Sequence, residues 1–135
     1  MVPLSNPSHV MRCPCNSGDV YQACCGRFLD GDANAPTAVA LMRSRYTAFV
    51  MGNADYLLST WHPDTRPKQL ELDPEQTWLG LVITDSFDGG PWDKDGVVVF
   101  TAHYRHNGAR GSMTETSKFI RLRKQWLYVA AGSVG

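Results

Sequence analysis

All four cysteines of the chain lie within the short segment CPCNSGDVYQACCG. The spacing is C-x-C, eight residues, then C-C, which makes the candidate ligands Cys13, Cys15, Cys24 and Cys25. A tetrahedral zinc ion takes thiolates at about 2.3 Å, so its sulfurs lie roughly 3.8 Å apart, and neighbouring residues in a bent backbone reach that separation. Because four cysteines leave no open ligand position, the pattern predicts a structural Zn²⁺ rather than a hydrolytic one.

The alternatives to a metal site are two disulfides, four buried thiols or a redox centre. The first residues, MVPLSNPSHVMRC, contain no charged start followed by a long apolar run, so we expect no secretion signal. We therefore expect a cytoplasmic protein, in which thiols stay reduced and clustered cysteines are more often metal ligands than disulfides. A redox centre is not favoured, because the segment contains no C-x-x-C pair.

The backbone between the cysteine pairs carries its own signals. Residues 16–18, Asn-Ser-Gly, are typical of a turn, because Asn and Gly tolerate left-handed backbone. Residues 19–25 are expected to form one or two helical turns that end at Gly26, with Tyr21 packed beneath the metal.

Charges beside the segment are candidates for neutralising the site. Four thiolates and one zinc carry a net charge of −2, which calls for nearby donors. Arg12 and Arg27 bracket the segment and are our candidates, the alternative being two solvated arginines. His9 is interpreted as a surface residue, since the four cysteines already complete the ligand set.

Composition limits the class of protein. The chain has 135 residues, of which 43% are hydrophobic and 19% charged, enough for one core with an appendage. Thirteen basic residues balance thirteen acidic ones, so no overall field attracts nucleic acid, and we expect neither a nucleic-acid nor a membrane partner. No apolar run is long enough to span a membrane. The sequence carries no signal for an oligomeric state.

The elements that must position these residues follow from periodicity. Apolar residues at helical spacing predict one helix from Pro36 to about Gly52 and a second helix that ends at His62-Pro63. The same spacing places five apolar side chains of the first helix on one face: Val39, Met42, Tyr46, Phe49 and Val50. Residues 64–76 are interpreted as a connector with one short helical turn. Four runs rich in branched and aromatic residues then predict strands, roughly at 78–87, 97–106, 112–122 and 125–131.

The separators between these runs are turn residues, so consecutive antiparallel hairpins are expected. Helices followed by a meander predict an α+β fold, in which helices lie on one face of a curved antiparallel sheet. We place a zinc head at residues 1–31, a linker at 30–35 and a cone-type α+β domain at 36–132.

Two segments resemble known families. The cysteine segment resembles the SEC-C motif, the short zinc module found at the C-terminal end of the SecA translocation ATPase; Asn16 stands where that motif commonly has Gly. The stretches ALMRSRYTAFVMGNADYLLSTWHP and ETSKFIRLRKQWLYVAAG are similar to the YchJ family. That resemblance implies a nuclear-transport-factor-two-like body, a cone of helices wrapped by a curved sheet, but it implies no activity.

Cones of this kind often contain a pocket between helices and sheet. Alternation along the third strand run places Glu115 on the same face as Phe119, so Glu115 is expected to point inward. With Arg45 and His62 it forms our set of pocket candidates. These groups could include a general base with a shifted pKa. A structural ion pair or hydrogen-bond network is the favoured interpretation, because nothing in the sequence fixes a nucleophile or a cofactor.

Our leading hypothesis is a zinc-containing accessory or adaptor protein, whose zinc head docks onto another protein while the cone supports it. The sequence does not favour an enzyme. The alternative is a small-molecule-binding protein or an enzyme that uses the cone cavity.

Overall fold

Helices occupy the first half of the chain and strands the second in the computed structural model, which describes residues 11–133. His9 lies outside the described residues. The helical elements are a 3-10 turn (Tyr21–Ala23), α1 (Gly26–Leu29), α2 (Ala38–Met51) and α3 (Ala54–Ser59). The strands are β1 (Gln76–Asp88), β2 (Asp95–His106), β3 (Ala109–Leu122) and β4 (Gln125–Ser133). The predicted α+β class is therefore confirmed. None of the helices in this part of the chain has the length and hydrophobicity that a membrane crossing requires.

Local signals set the ends of α2 and α3. Thr37 caps α2, its hydroxyl accepting a hydrogen bond from the first turn at 3.0 Å, so Pro36 precedes the helix rather than opening it. Gly52 ends α2 with a left-handed φ of 71°. Asn53 then caps α3 through a side-chain hydrogen bond of 3.0 Å. The predicted break at Gly52 and Asn53 is thus confirmed.

The burial of α2 differs from the predicted single stripe. Val50 is 39% exposed, whereas Arg45 and Thr47, which lie off that stripe, are 4% and 0% exposed. The reason is that α2 is enclosed on several sides, with contacts to α1, α3 and three of the strands. A helix covered from several directions has no single polar face, so one apolar stripe cannot describe it.

The four strands form one antiparallel sheet in the order β1-β2-β3-β4, as the predicted hairpins require. Asn107 and Gly108 join β2 to β3 in left-handed conformations, with φ of 50° and 85°, which is the geometry of a two-residue hairpin. Register shifts in β1, between Trp78 and Gly80 and between Ile83 and Asp85, are β-bulges that increase twist and bend.

One hydrophobic core runs through the cysteine segment and the body. Tyr21 and Phe28 belong to the same buried cluster as Leu41, Phe100 and Trp126. Ala35, within the expected linker 30–35, is itself only 6% exposed and joins this cluster. The cysteine segment is therefore not a separate knob, because it shares its core with the body, although residues 30–34 of the expected linker are exposed. The boundaries 1–31 and 36–132 stay a prediction.

Candidate metal site and cavity

The structure brings the four cysteines together. Their sulfur atoms all lie within 4.8 Å of one another, and the side chains are between 0% and 9% exposed. Two separations are 3.6 Å, between Cys15 and Cys24, and 4.0 Å, between Cys24 and Cys25. These values bracket the roughly 3.8 Å edge of a tetrahedron of thiolates around zinc. All four cysteines are free of disulfides, so the cluster fits a single metal ion with four sulfur ligands.

The backbone reaches this arrangement by a route that differs from the predicted one. The 3-10 turn stops at Ala23, Cys24 has φ −123° and ψ −113°, and Gly26 begins α1 instead of ending a helix. Successive residues of a helix point about 100° apart, so a helix through Cys24 and Cys25 would separate their sulfurs. Gly26 is needed for another reason, because a Cβ there would lie 2.9 Å from both the ring and the carbonyl oxygen of Tyr21. Tyr21 is buried, as predicted.

The two bracketing arginines do not donate to sulfur in the described structure. Arg12 donates to the carbonyl oxygen of Gly18 at 2.5 Å, and Arg27 donates to the carbonyl oxygen of Cys24 at 3.2 Å. Their guanidinium groups stabilise the loops by backbone hydrogen bonds, and their predicted role in neutralising the charge of the site stays a prediction.

Hydroxyl groups lie beside the sulfurs instead. The Ser17 hydroxyl is 3.2 Å from the Cys24 sulfur, and the Thr47 hydroxyl is 3.6 Å from the Cys13 sulfur. When the cysteines are thiolates, these hydroxyls are the donors, because a thiolate can only accept. Thr47 lies on α2, so one of the donors to the cluster comes from the body.

Two further contacts attach the cysteine segment to the body. Arg43 of α2 donates to the carbonyl oxygen of Cys15 at 2.7 Å. The backbone N–H of Leu81, in β1, donates to the side-chain oxygen of Asn16 at 2.7 Å. Asn16 has a left-handed φ of 66°, a conformation that Asn tolerates better than most residues. The residue that replaces the usual Gly of the motif therefore keeps the turn and adds a contact.

Proton affinities in the cluster depend on its close packing. Hydrogen bonds from the Cys13 and Cys25 thiols lower the pKa of Cys15. Hydrogen bonds with Cys13 and Cys15 raise the pKa of Cys25, and burial raises the pKa of Cys24. The close packing of the sulfurs thus favours negative charge on Cys15 and opposes it on Cys24 and Cys25. A divalent metal ion would stabilise all four thiolates together.

A cavity of about 180 Å³ lies between α2 and the sheet, apart from the cysteines. Its wall is mainly apolar and includes six aromatic side chains: Tyr46, Phe49, Trp61, Trp78, Phe100 and Tyr128. Burial raises the pKa of Tyr46 to about 12, so this phenol stays neutral. The polar side chains of the wall are Arg45, Glu115 and Ser117.

Arg45 is the buried cation of this wall. Its Nη1 donates to the carbonyl oxygen of Leu57 and to the hydroxyl of Thr60, both at 2.7 Å. The guanidinium carbon lies 4.5 Å from the ring centre of Tyr128 and 5.1 Å from that of Trp61. Burial lowers the pKa of Arg45 to about 10, which still leaves it protonated at neutral pH.

Glu115 shares the cavity with Arg45, as alternation along the strand predicted, and burial raises the pKa of its carboxyl group. His62 does not line the cavity, so its place among the pocket candidates is wrong. The segment after α3 pairs with β4 at Tyr128, and side chains alternate in such extended backbone. Trp61 consequently faces the cavity, while the His62 ring accepts a hydrogen bond from the Asp64 backbone at 3.0 Å.

Comparison with protein families gives two matches. The model described as "YchJ, middle NTF2-like domain" matches residues 37–131, and the SEC-C motif matches residues 12–27. A UPF0225 protein of Streptomyces coelicolor is 53% identical over 116 residues, covering 86% of this chain and 90% of the relative. A UPF0225 protein of Chromobacterium violaceum is 48% identical over 122 residues, covering 87% and 90%.

Solved structures give the same assignment. The solution structure of a SEC-C motif containing protein from Rhodopseudomonas palustris has a TM-score of 0.82 at 32% identity, covering 93% of this chain and 100% of that one. The crystal structure of a SEC-C motif containing protein from Psychrobacter arcticus has a TM-score of 0.72 at 24% identity, covering 87% and 80%, which supports the fold alone.

Proposed function

The chain belongs to the YchJ family of SEC-C motif proteins, and we propose that it is a cytoplasmic zinc-binding accessory protein whose zinc head docks onto another protein. The observation that carries the metal assignment is the cluster of four buried sulfurs within 4.8 Å. A site made only of thiolates suits zinc, and it leaves no position for a substrate or a reactive water. The zinc is therefore structural.

Zinc content and stability test the metal assignment. Purified protein should contain about one zinc per chain, and Cys24→Ser should lose it. Because the cysteine segment shares a core with the body, removing the metal with a chelator should lower the stability of the whole chain. Protein that is free of metal and melts at the same temperature with and without zinc would contradict the proposal.

The contacts that fix the zinc head on the body support the docking proposal. Its inner side packs against α2 and β1, while residues 16–19 and Gln22 are exposed. Loops fixed by a metal and by contacts with the body lose little conformational entropy when a partner binds. Most exposed side chains of the head are polar, Met11 at 41% exposure being the large apolar one, so the expected partner surface is mainly polar as well.

A charge reversal on the exposed loop tests docking without touching the metal ligands. Asp19→Arg changes an exposed side chain of the head, and Glu71→Arg is the matched control on an exposed side chain of the connector. A partner that is captured by the wild type and by Glu71→Arg, but not by zinc-loaded Asp19→Arg, and that binds again as a purified protein, supports the proposal. Equal capture by all three proteins refutes it.

A further inference from the structure

One polar group of the cavity wall is left unpaired by residues 11–133. Trp61 belongs to the wall, and its indole N–H is buried without a hydrogen-bond partner among these residues. An unpaired buried donor costs free energy, and natural proteins rarely keep one without a use. The indole N–H is therefore an unpaired donor on a residue of the cavity wall, and because it is closed to solvent in this structure, pairing with a ligand requires the ring of Trp61 to shift.

Arg45 adds positive charge at the same wall. A guanidinium group has five N–H donors, and the hydrogen bonds of Arg45 all come from Nη1. Within residues 11–133 the ion pairs are His62 with Asp64 and His106 with Asp73, so no carboxylate neutralises Arg45. A buried cation without a counterion favours an anion in its neighbourhood.

Glu115 is not the counterion of Arg45. It lines the same cavity but makes no ion pair with Arg45 in the described residues. Burial raises the pKa of its carboxyl group, which favours the neutral form of Glu115 and so reduces its repulsion of a bound anion.

The size and the wall of the cavity restrict the ligand. A cavity of about 180 Å³ is slightly larger than an apolar protein cavity of about 150 Å³ that binds benzene. Aromatic side chains make up half of the wall, and they pack well against a flat apolar molecule. There is room for one ring and one small polar substituent.

We propose that the cavity is a binding site for a small carboxylic acid with a planar apolar body, its carboxylate accepting hydrogen bonds from Arg45 and from Trp61. The site is separate from the cysteine cluster and does not depend on the docking role.

Three probes of similar size separate the contribution of the ligand's charge from that of its ring: benzoate, benzyl alcohol and benzylamine. Titration of the zinc-loaded protein, followed through the indole N–H signals in an NMR spectrum, should show saturable binding of benzoate with a Kd on the order of 1 mM. The Trp61 signal should move downfield as its N–H gains an acceptor. Benzyl alcohol should bind about tenfold more weakly, because it lacks the charge that Arg45 would pair with.

Two tryptophan variants provide the matched comparison. Trp61→Phe keeps a ring at the wall and removes the donor, so the Kd for benzoate should rise roughly fivefold to tenfold. Trp126→Phe removes an indole N–H that donates to the carbonyl oxygen of Pro36 at 3.2 Å, away from the cavity, and should leave the Kd unchanged. The Trp61 signal of the wild type gives the same information if either variant fails to fold.

Three results would each overturn the proposal. One is the absence of saturable binding of benzoate. Another is an unchanged Kd in folded Trp61→Phe, together with a Trp61 signal that does not move. The third is tighter binding of benzylamine than of benzoate, which would show that the carboxylate of Glu115 selects a cation.

Discussion

Replacing Asn16 by Gly tests whether the cysteine segment and the sheet are one folding unit. Asn16 has a φ of 66°, which Gly adopts without strain, so the turn is kept. The substitution removes the oxygen that accepts a hydrogen bond from the Leu81 backbone at 2.7 Å, and Leu81 is only 2% exposed. This hydrogen bond is partly buried, so losing it costs about 1–2 kcal/mol, and the free energy of unfolding should fall by that amount.

Asn16→Ala should be worse than Asn16→Gly. It loses the same hydrogen bond and also places a Cβ in left-handed backbone, which costs roughly 1 kcal/mol more. Asn107→Gly is the matched control, because Asn107 has a φ of 50° but lies exposed in the hairpin between β2 and β3. Its free energy of unfolding should change by less than about 0.5 kcal/mol.

Urea denaturation of the zinc-loaded proteins, followed by tryptophan fluorescence, measures these differences. In a separate thermal melt, the melting temperature of Asn16→Gly should fall by roughly 3–8 °C, given about 3–4 °C per kcal/mol for a chain of this length. A single transition is expected, because the core is continuous. The reasoning fails if Asn16→Gly is as stable as Asn107→Gly, or if it produces a separate early transition while the sheet stays unaffected.

Three other substitutions give defined outcomes. Thr47→Val keeps the side-chain volume and removes the hydroxyl that lies 3.6 Å from the Cys13 sulfur. The affinity for zinc, measured by competition with a chelator, should therefore fall about tenfold. An unchanged affinity would count against Thr47 as a donor to the sulfur. Gly26→Ala places a Cβ 2.9 Å from the Tyr21 carbonyl oxygen, so the free energy of unfolding measured in urea should fall by about 1–3 kcal/mol. A variant as stable as the wild type would contradict the close approach of Gly26 to Tyr21. Glu115→Gln should have the same free energy of unfolding as the wild type near pH 4 and a higher one as the pH rises through the raised pKa of Glu115. The reason is that the folded wild type binds this proton more tightly than the unfolded chain, so it loses stability when the proton leaves. Urea titrations at several pH values measure the difference, and parallel stability curves for the two proteins would exclude the effect.

The sequence by itself determined the parts that depend on near neighbours. The spacing of the cysteines predicted one ligand cluster, and Gly52 with Asn53 predicted the break between the helices. The turn residues predicted four consecutive antiparallel strands, and alternation along β3 placed Glu115 in the cavity. Each of these follows from backbone conformations or side-chain periodicities that span only a few residues.

Tertiary structure alone decided which residues support the cysteine cluster and the cavity. Cys13 meets Thr47 across 34 positions of the chain, and Asn16 meets Leu81 across 65, so no local pattern could pair them. The pairing of β4 with the segment after α3 turned Trp61 toward the cavity and left His62 outside it. Arg45 is buried because α3 supplies its carbonyl acceptor, although its charge by itself favours the surface. Such contacts depend on how segments far apart in the sequence pack against each other, which no local pattern of residues encodes.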